Sequence, residues 1–119
     1  MSNLPEADAP LLVACLCAAW CRTCDDYRAT FEALAREFGN RTRFVWVDIE
    51  DEEDALGTVD VVDFPTLLIA RGEQARFFGP VMPQPHAARQ LVQRALEDEL
   101  GALTDAALNG LPARLGALP

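Results

Sequence analysis

An α/β fold with the element order βαβαββα is predicted by three features of this 119-residue chain. It should form a four-stranded mixed sheet flanked by helices. First, Leu11, Leu12, Val13, Ala14, Cys15, Leu16 and Cys17 form one uninterrupted apolar run, and residues 43–49 form a second that is nearly as apolar. Runs of that length suit strands covered on both faces. Second, the apolar positions between them are Tyr27, Phe31, Leu34, Ala35 and Phe38, whose spacing traces one face of a helix. Strand, helix and strand of these lengths make a βαβ unit, so the two strands should be parallel. Third, residues 66–70 and 75–79 are short apolar runs on either side of Arg71, Gly72, Glu73 and Gln74, which reads as a β-hairpin.

Residues 1–10 hold two prolines among small and acidic residues and are expected to be a loose leader. They contain no basic n-region and no apolar h-region, so no secretory signal is read and a cytoplasmic location is expected. The domain is expected to span residues 11–100. Gly39 and Asn40 supply the stop that ends the first helix, predicted over 25–38. The acidic run Glu50, Asp51, Glu52, Glu53 and Asp54 opens a short helix near 52–58, where the helix dipole favours negative charge. A solvated helix start explains that run better than a divalent-metal site. Pro65 stands at a strand entrance, where its missing N–H does least harm. Pro83 and Pro85 lead into a last helix over about 86–100, with Leu91, Val92, Ala95, Leu96 and Leu100 on its buried face. Residues 101–119 are rich in Ala, Leu and Gly and read as a tail, with Thr104 and Asp105 placed to cap a short helix at Ala106, Ala107 and Leu108. The predicted sheet order is 43–49, 11–17, 66–70, 75–79, with the last two strands antiparallel to the first pair.

Composition narrows the function. The formal net charge is −9, and all ten basic residues are arginine. Phosphate binding needs clustered cations, so nucleic acid and anionic lipid are poor partners for this chain. No apolar stretch approaches the roughly 18 residues of a membrane span. The four cysteines, Cys15, Cys17, Cys21 and Cys24, fall within ten residues. A disulfide scaffold spreads its cysteines to close long loops, so this clustering points to redox chemistry or a metal.

Cys21 and Cys24 form a Cys-x-x-Cys at a strand-to-helix junction. A thiolate, not a thiol, attacks a disulfide. The unpaired N–H groups and partial positive charge of the helix N-terminus favour a thiolate at Cys21, as does the neighbouring Arg22. Asp25 and Asp26 oppose it from further along the helix. Cys24, one turn later and deeper, is placed to attack a mixed disulfide on Cys21 and release the partner.

The segment Ala19, Trp20, Cys21, Arg22, Thr23 and Cys24 resembles the dithiol motif of the thioredoxin family. The downstream Phe64, Pro65, Thr66, Leu67 and Leu68, and then Phe78 and Gly79, extend the resemblance over roughly residues 11–100. The resemblance implies a thioredoxin-like fold and a thiol–disulfide oxidoreductase that acts on protein disulfides or dithiols and is served by an external reductant or oxidant protein. Cys21 and Cys24 would be catalytic. Trp20, Arg22, Thr23, Phe64, Pro65 and Thr66 would shape and support the substrate groove, with Pro65 in a cis peptide bond beside the dithiol. The dithiol itself carries the electrons, so no bound cofactor is expected.

The chain also departs from that pattern. The strand and helix that precede the dithiol strand in thioredoxin are missing, which makes strand 43–49 an edge. Self-association through that edge, or through the tail, is one consequence. Arg22 and Thr23 stand where the family often has Gly-Pro. Cys15 occupies the place of a buried aspartate and Trp46 that of a lysine, so slower resolution by Cys24 is expected. Cys15 and Cys17 alternate on one strand face. Either they are small apolar core residues, or they are auxiliary thiols able to exchange with Cys24.

Two other readings compete. One is a thioredoxin-like binding module without efficient turnover. The other is a metal site built from Cys15, Cys17, Cys21 and Cys24, although two of these lie in a regular strand and the paired motifs of zinc ribbons are absent; no metal ligand is therefore assigned. His86, the lone histidine, is expected to be an exposed residue at a helix start rather than a partner for Cys21.

Overall fold

The computed structural model describes residues 10–118, so most of the leader lies outside the described residues. Strand β1 (Leu11–Cys17) runs into helix α1 (Arg22–Phe38), and a 3₁₀ turn (Gly39–Arg41) leads to β2 (Thr42–Asp48). The short helix α2 (Glu53–Leu56) precedes the hairpin β3 (Thr66–Arg71) and β4 (Gln74–Pro80). Helix α3 (Pro85–Leu96), a second 3₁₀ turn (Ala106–Leu108) and α4 (Leu111–Gly116) complete the chain.

The four strands lie in the order β2-β1-β3-β4. β1 pairs parallel with β2, with Cys15 opposite Trp46, and antiparallel with β3, with Leu16 opposite Thr66. One part of the expected topology is corrected. β4 is antiparallel to β3 and therefore points the same way as β1 and β2. The cause is the tight hairpin at left-handed Gly72 (φ 61°), which reverses the chain between Arg71 and Gln74.

Helix α1 ends where Gly39 turns to φ 62° and its N–H bonds back to the Ala35 carbonyl. Helix α3 begins with Pro85, whose fixed φ suits the first helical position. It stops at Leu96, four residues short of the expected end. Asp98 takes φ 59°, and the N–H groups of Glu97, Asp98 and Glu99 fold back onto the carbonyls of Gln93, Ala95 and Arg94. Leu100 still packs on the core, but from outside the helix.

β1 is buried along its whole length and divides two cores. Leu11, Val13, Cys15 and Cys17 face α1 and α3, packing with Tyr27, Phe31, Leu34, Ala88, Val92 and Ala95. Leu12, Ala14 and Leu16 face the other way, toward Val45, Val47, Leu56, Leu68, Leu108, Leu111 and Leu115. The C-terminal segment is thus part of the fold's second layer. The Asp105 carboxylate accepts a hydrogen bond from the Ala107 N–H and caps its turn. Arg114 Nε donates to the Ala55 carbonyl at 2.6 Å, tying α4 to α2. Leu111 and Leu115 are fully buried, each contributing roughly 1.5–3 kcal/mol of apolar burial. β2 is the edge strand next to β1, with only Val45 and Val47 fully buried on it.

Candidate functional site

Four cysteines meet where β1 hands over to α1. The strand ends at Cys17, and the turn that follows is closed by the Cys21 N–H donating to the Ala18 carbonyl at 3.0 Å. Cys21 is the N-cap of α1, with extended backbone (φ −88°, ψ 117°) and no side-chain capping bond. Its carbonyl accepts the first helical hydrogen bond, from the Asp25 N–H at 3.2 Å. This cap conformation leaves Cys21 half-buried, whereas Cys24 points into the core and is 1 % exposed.

The sulfur of Cys24 is bonded to Cys17, with their Cα atoms 5.9 Å apart, and Cys21 is a free thiol. Cys24 was expected to pair with Cys21, so this pairing is a difference from the sequence expectation. Its physical basis is the side-chain alternation of β1, which aims Cys17 at the α1 side of the sheet. The Cα separation lies within the span a disulfide bridges. Two of the thiols a four-cysteine metal site would need are therefore joined to each other. Among the described residues no group of three or more His, Cys, Asp or Glu is disposed to hold a metal ion.

Cys15 is fully buried two residues back on the same face, and its sulfur lies 3.8 Å from that of Cys17. Burial pushes the Cys15 thiol far above its ordinary value, so it stays protonated. Tyr27 on α1 is 1 % exposed, and its hydroxyl has no hydrogen-bond partner. Burial, and secondarily the neighbouring Cys15, push that phenol up as well. Trp46, opposite Cys15 across the ladder, packs edge-on to Phe31 at 5.7 Å. The Arg28 guanidinium lies 5.1 Å from the centre of the Trp46 ring.

The other predicted groove residues gather at the same end of the sheet. The Phe64–Pro65 peptide bond is cis. Leu16 pairs with Thr66, so the register brings Pro65 to the end of β1 beside Cys17. The Pro65 carbonyl accepts a hydrogen bond from the Val81 N–H at 3.0 Å, and the Thr66 hydroxyl donates to the Asp63 carbonyl at 2.6 Å. These two bonds fix the loop. Trp20 is 68 % exposed and meets Phe64 edge-to-face with ring centroids 5.6 Å apart. Arg22 and Thr23 are exposed on the first turn of α1.

Two exposed apolar residues not singled out from the sequence flank this loop along the chain. Val62 is 82 % exposed and precedes the cis bond, and Met82 is 65 % exposed and follows the Val81 anchor. Their signal was position alone, apolar residues flanking the Pro65 loop. His86 is exposed at the start of α3, as its place in the sequence implies.

A strand that ends in a buried cysteine, a helix capped by a half-exposed one and a cis-proline loop come together at one end of an α/β sheet, and the Cys17–Cys24 pair there supports a redox-type function. The thioredoxin family model matches residues 2–89, about three-quarters of the chain, and the protein belongs to the thioredoxin family. The chain is 24% identical to thioredoxin from Bacillus subtilis (strain 168) over 91 residues, which cover 76% of this chain and 88% of that protein. Among solved structures, thioredoxin from Trypanosoma brucei brucei superposes with a TM-score of 0.66 at 26% identity, covering 78% of this chain and 80% of that one. Thioredoxin from Fasciola hepatica superposes with a TM-score of 0.65 at 25% identity, covering 75% and 84%.

Proposed function

We propose that the protein is a thiol–disulfide oxidoreductase that exchanges disulfides with protein substrates, and that Cys21 is its attacking thiol. One observation carries this reading. Cys21 is the half-exposed free thiol at the N-cap of α1, beside Trp20 and the Pro65 loop. In the reduced protein the Cys21 thiolate attacks one sulfur of a substrate disulfide, forms a mixed disulfide and expels the other sulfur as a thiolate. Cys24, one helical turn on, attacks the Cys21 sulfur and releases the substrate as a dithiol. The two electrons gained by the substrate come from the Cys21 and Cys24 thiols, and an external dithiol or disulfide protein resets the pair.

The rim of Trp20, Phe64, Val62 and Met82 offers an apolar landing for an extended chain, with Arg22 and Thr23 on its helix side. Substrate specificity is assigned to this rim. Among the described residues no helix is long and apolar enough to cross a membrane.

The test is equilibration in graded mixtures of a thiol and its disulfide, followed by acid quench, alkylation and mass analysis. A reversible two-electron transition that protects Cys24, and a Cys24→Ser variant that traps a model substrate on Cys21, are expected. If Cys21 enters no disulfide, mixed or internal, at any poise, the reading fails.

A further inference from the structure

We propose that Cys17 is a third redox thiol. In the oxidised protein the disulfide moves inward from Cys21–Cys24 to Cys17–Cys24, returning Cys21 to the surface as a free thiol. This deepens the function proposed above and rests on it. Both sulfurs of the Cys17–Cys24 bond belong to residues 1 % exposed, in the core between β1 and α1. A protein-sized reductant cannot reach them. Cys15, the other free thiol, is fully buried and held protonated. Cys21 is the thiol that touches both this core and solvent, so electrons enter and leave through it.

The inward step is an isomerisation. The Cys17 thiolate attacks the Cys24 sulfur of the Cys21–Cys24 bond, a Cys17–Cys24 bond forms, and Cys21 departs as the thiolate. One disulfide is broken and one made, and the proton given up by Cys17 is balanced by the one Cys21 takes up. The reverse step begins with Cys21 attacking Cys24 and expelling the Cys17 thiolate. Cys15, with its sulfur 3.8 Å away, is placed to donate its S–H to that leaving group as a positioning residue. In the inward state Cys24 is occupied. The Cys21 thiolate can still attack a partner's disulfide, forming a mixed disulfide and releasing the partner's other sulfur as a thiolate, and no neighbouring thiol is available to resolve it. The protein therefore alternates between a two-cysteine exchanger and a holder of mixed disulfides.

The experiment uses the full chain, oxidised, acid-quenched, alkylated and cleaved after Trp20 and after Arg22, which separates Cys15 and Cys17 from Cys21 and from Cys24. In wild type the Cys24 peptide is expected to be joined to the peptide ending at Trp20, through Cys17 on fragmentation, with Cys21 alkylated. In Cys17→Ala it is expected to be joined to Cys21, with alkylation there lost. Oxidised glutathione added to the oxidised proteins should label Cys21 of wild type and fail to label Cys17→Ala. Cys21→Ala should slow reduction of the internal disulfide by a protein dithiol at least about tenfold. The proposal is overturned if oxidised wild type carries only Cys21–Cys24 with Cys17 alkylated, a result that needs no variant to fold and leaves the proposed oxidoreductase intact. Failure of Cys21 to enter any disulfide in either protein would instead remove the function itself.

Discussion

The two faces of the sheet are built from alternate residues of the same strands, and their chemistry is opposite. The face toward α1 and α3 receives all four cysteines, the aromatic cluster of Phe31, Phe44 and Trp46, and the unpartnered Tyr27 hydroxyl. The face toward α2 and α4 is aliphatic, with Leu12, Ala14, Leu16, Val45 and Val47 meeting Leu108, Leu111 and Leu115. An unpaired buried hydroxyl costs stability. The difference teaches a division of labour. The reactive face tolerates polar groups because the opposite face is closed by apolar packing, and the last residues of the chain supply much of that closure.

The largest effect expected on the reactive face comes from Cys21→Ser. It should abolish exchange with a protein disulfide, read as loss of turnover with a dithiol donor. Thermal stability should stay close to that of wild type, because Cys21 is half-buried and makes no capping bond. On the aliphatic face, Leu111→Ala or Leu115→Ala should cost about 2–5 kcal/mol in denaturant unfolding, as deletions from a filled core do. Such a variant should keep the wild-type cysteine map while it remains folded. A large change in disulfide pairing from a Leu115 substitution would break the comparison, since it would mean the two faces are coupled.

Much of the reactive face was legible in the sequence because its signals are local. The seven-residue apolar run gives β1, the spacing of Tyr27, Phe31 and Leu34 gives α1, and the cysteine pair marks the junction between them. What escaped was set by distance. The burial of the C-terminal segment depends on partners such as Ala55 and Leu12, far away in the chain. A six-residue helix is also too short to show a periodic pattern. The end of α3 was overestimated because the apolar spacing continues through Leu100, while the helix is ended by the positive φ of Asp98, a residue without the usual glycine signal. The partner of Cys24, expected to be Cys21, was missed for a different reason. Strand alternation puts Cys15 and Cys17 on the face that Cys24 enters, and the 5.9 Å Cα separation that lets Cys17 bridge to Cys24 is set by the packing of α1 on the sheet, which no local pattern shows.

Smaller changes sharpen the contrast between the faces. Tyr27→Phe removes a buried hydroxyl that has no partner and should stabilise the protein by about 1 kcal/mol, measured by urea unfolding. If it destabilises by as much, the hydroxyl has a partner in solution.

The smallest effect concerns Cys15. Burial raises its thiol in the folded state, so the folded protein holds that proton more tightly than the unfolded chain does. The sign follows directly: stability is unaffected below the unfolded thiol value of roughly 8.5, and falls as pH climbs above it. Tyr27 adds the same slope from about pH 10, again because burial raises its phenol. Cys15→Ala should therefore flatten the alkaline loss of stability without changing which sulfur Cys24 bonds. In the folded wild type at pH 8, Cys15 should resist iodoacetamide under conditions that alkylate Cys21. Equal alkylation of Cys15 and Cys21 would show that the sulfur-bearing face opens to solvent, and the division between a sealed core and a single reactive thiol at its rim would fail.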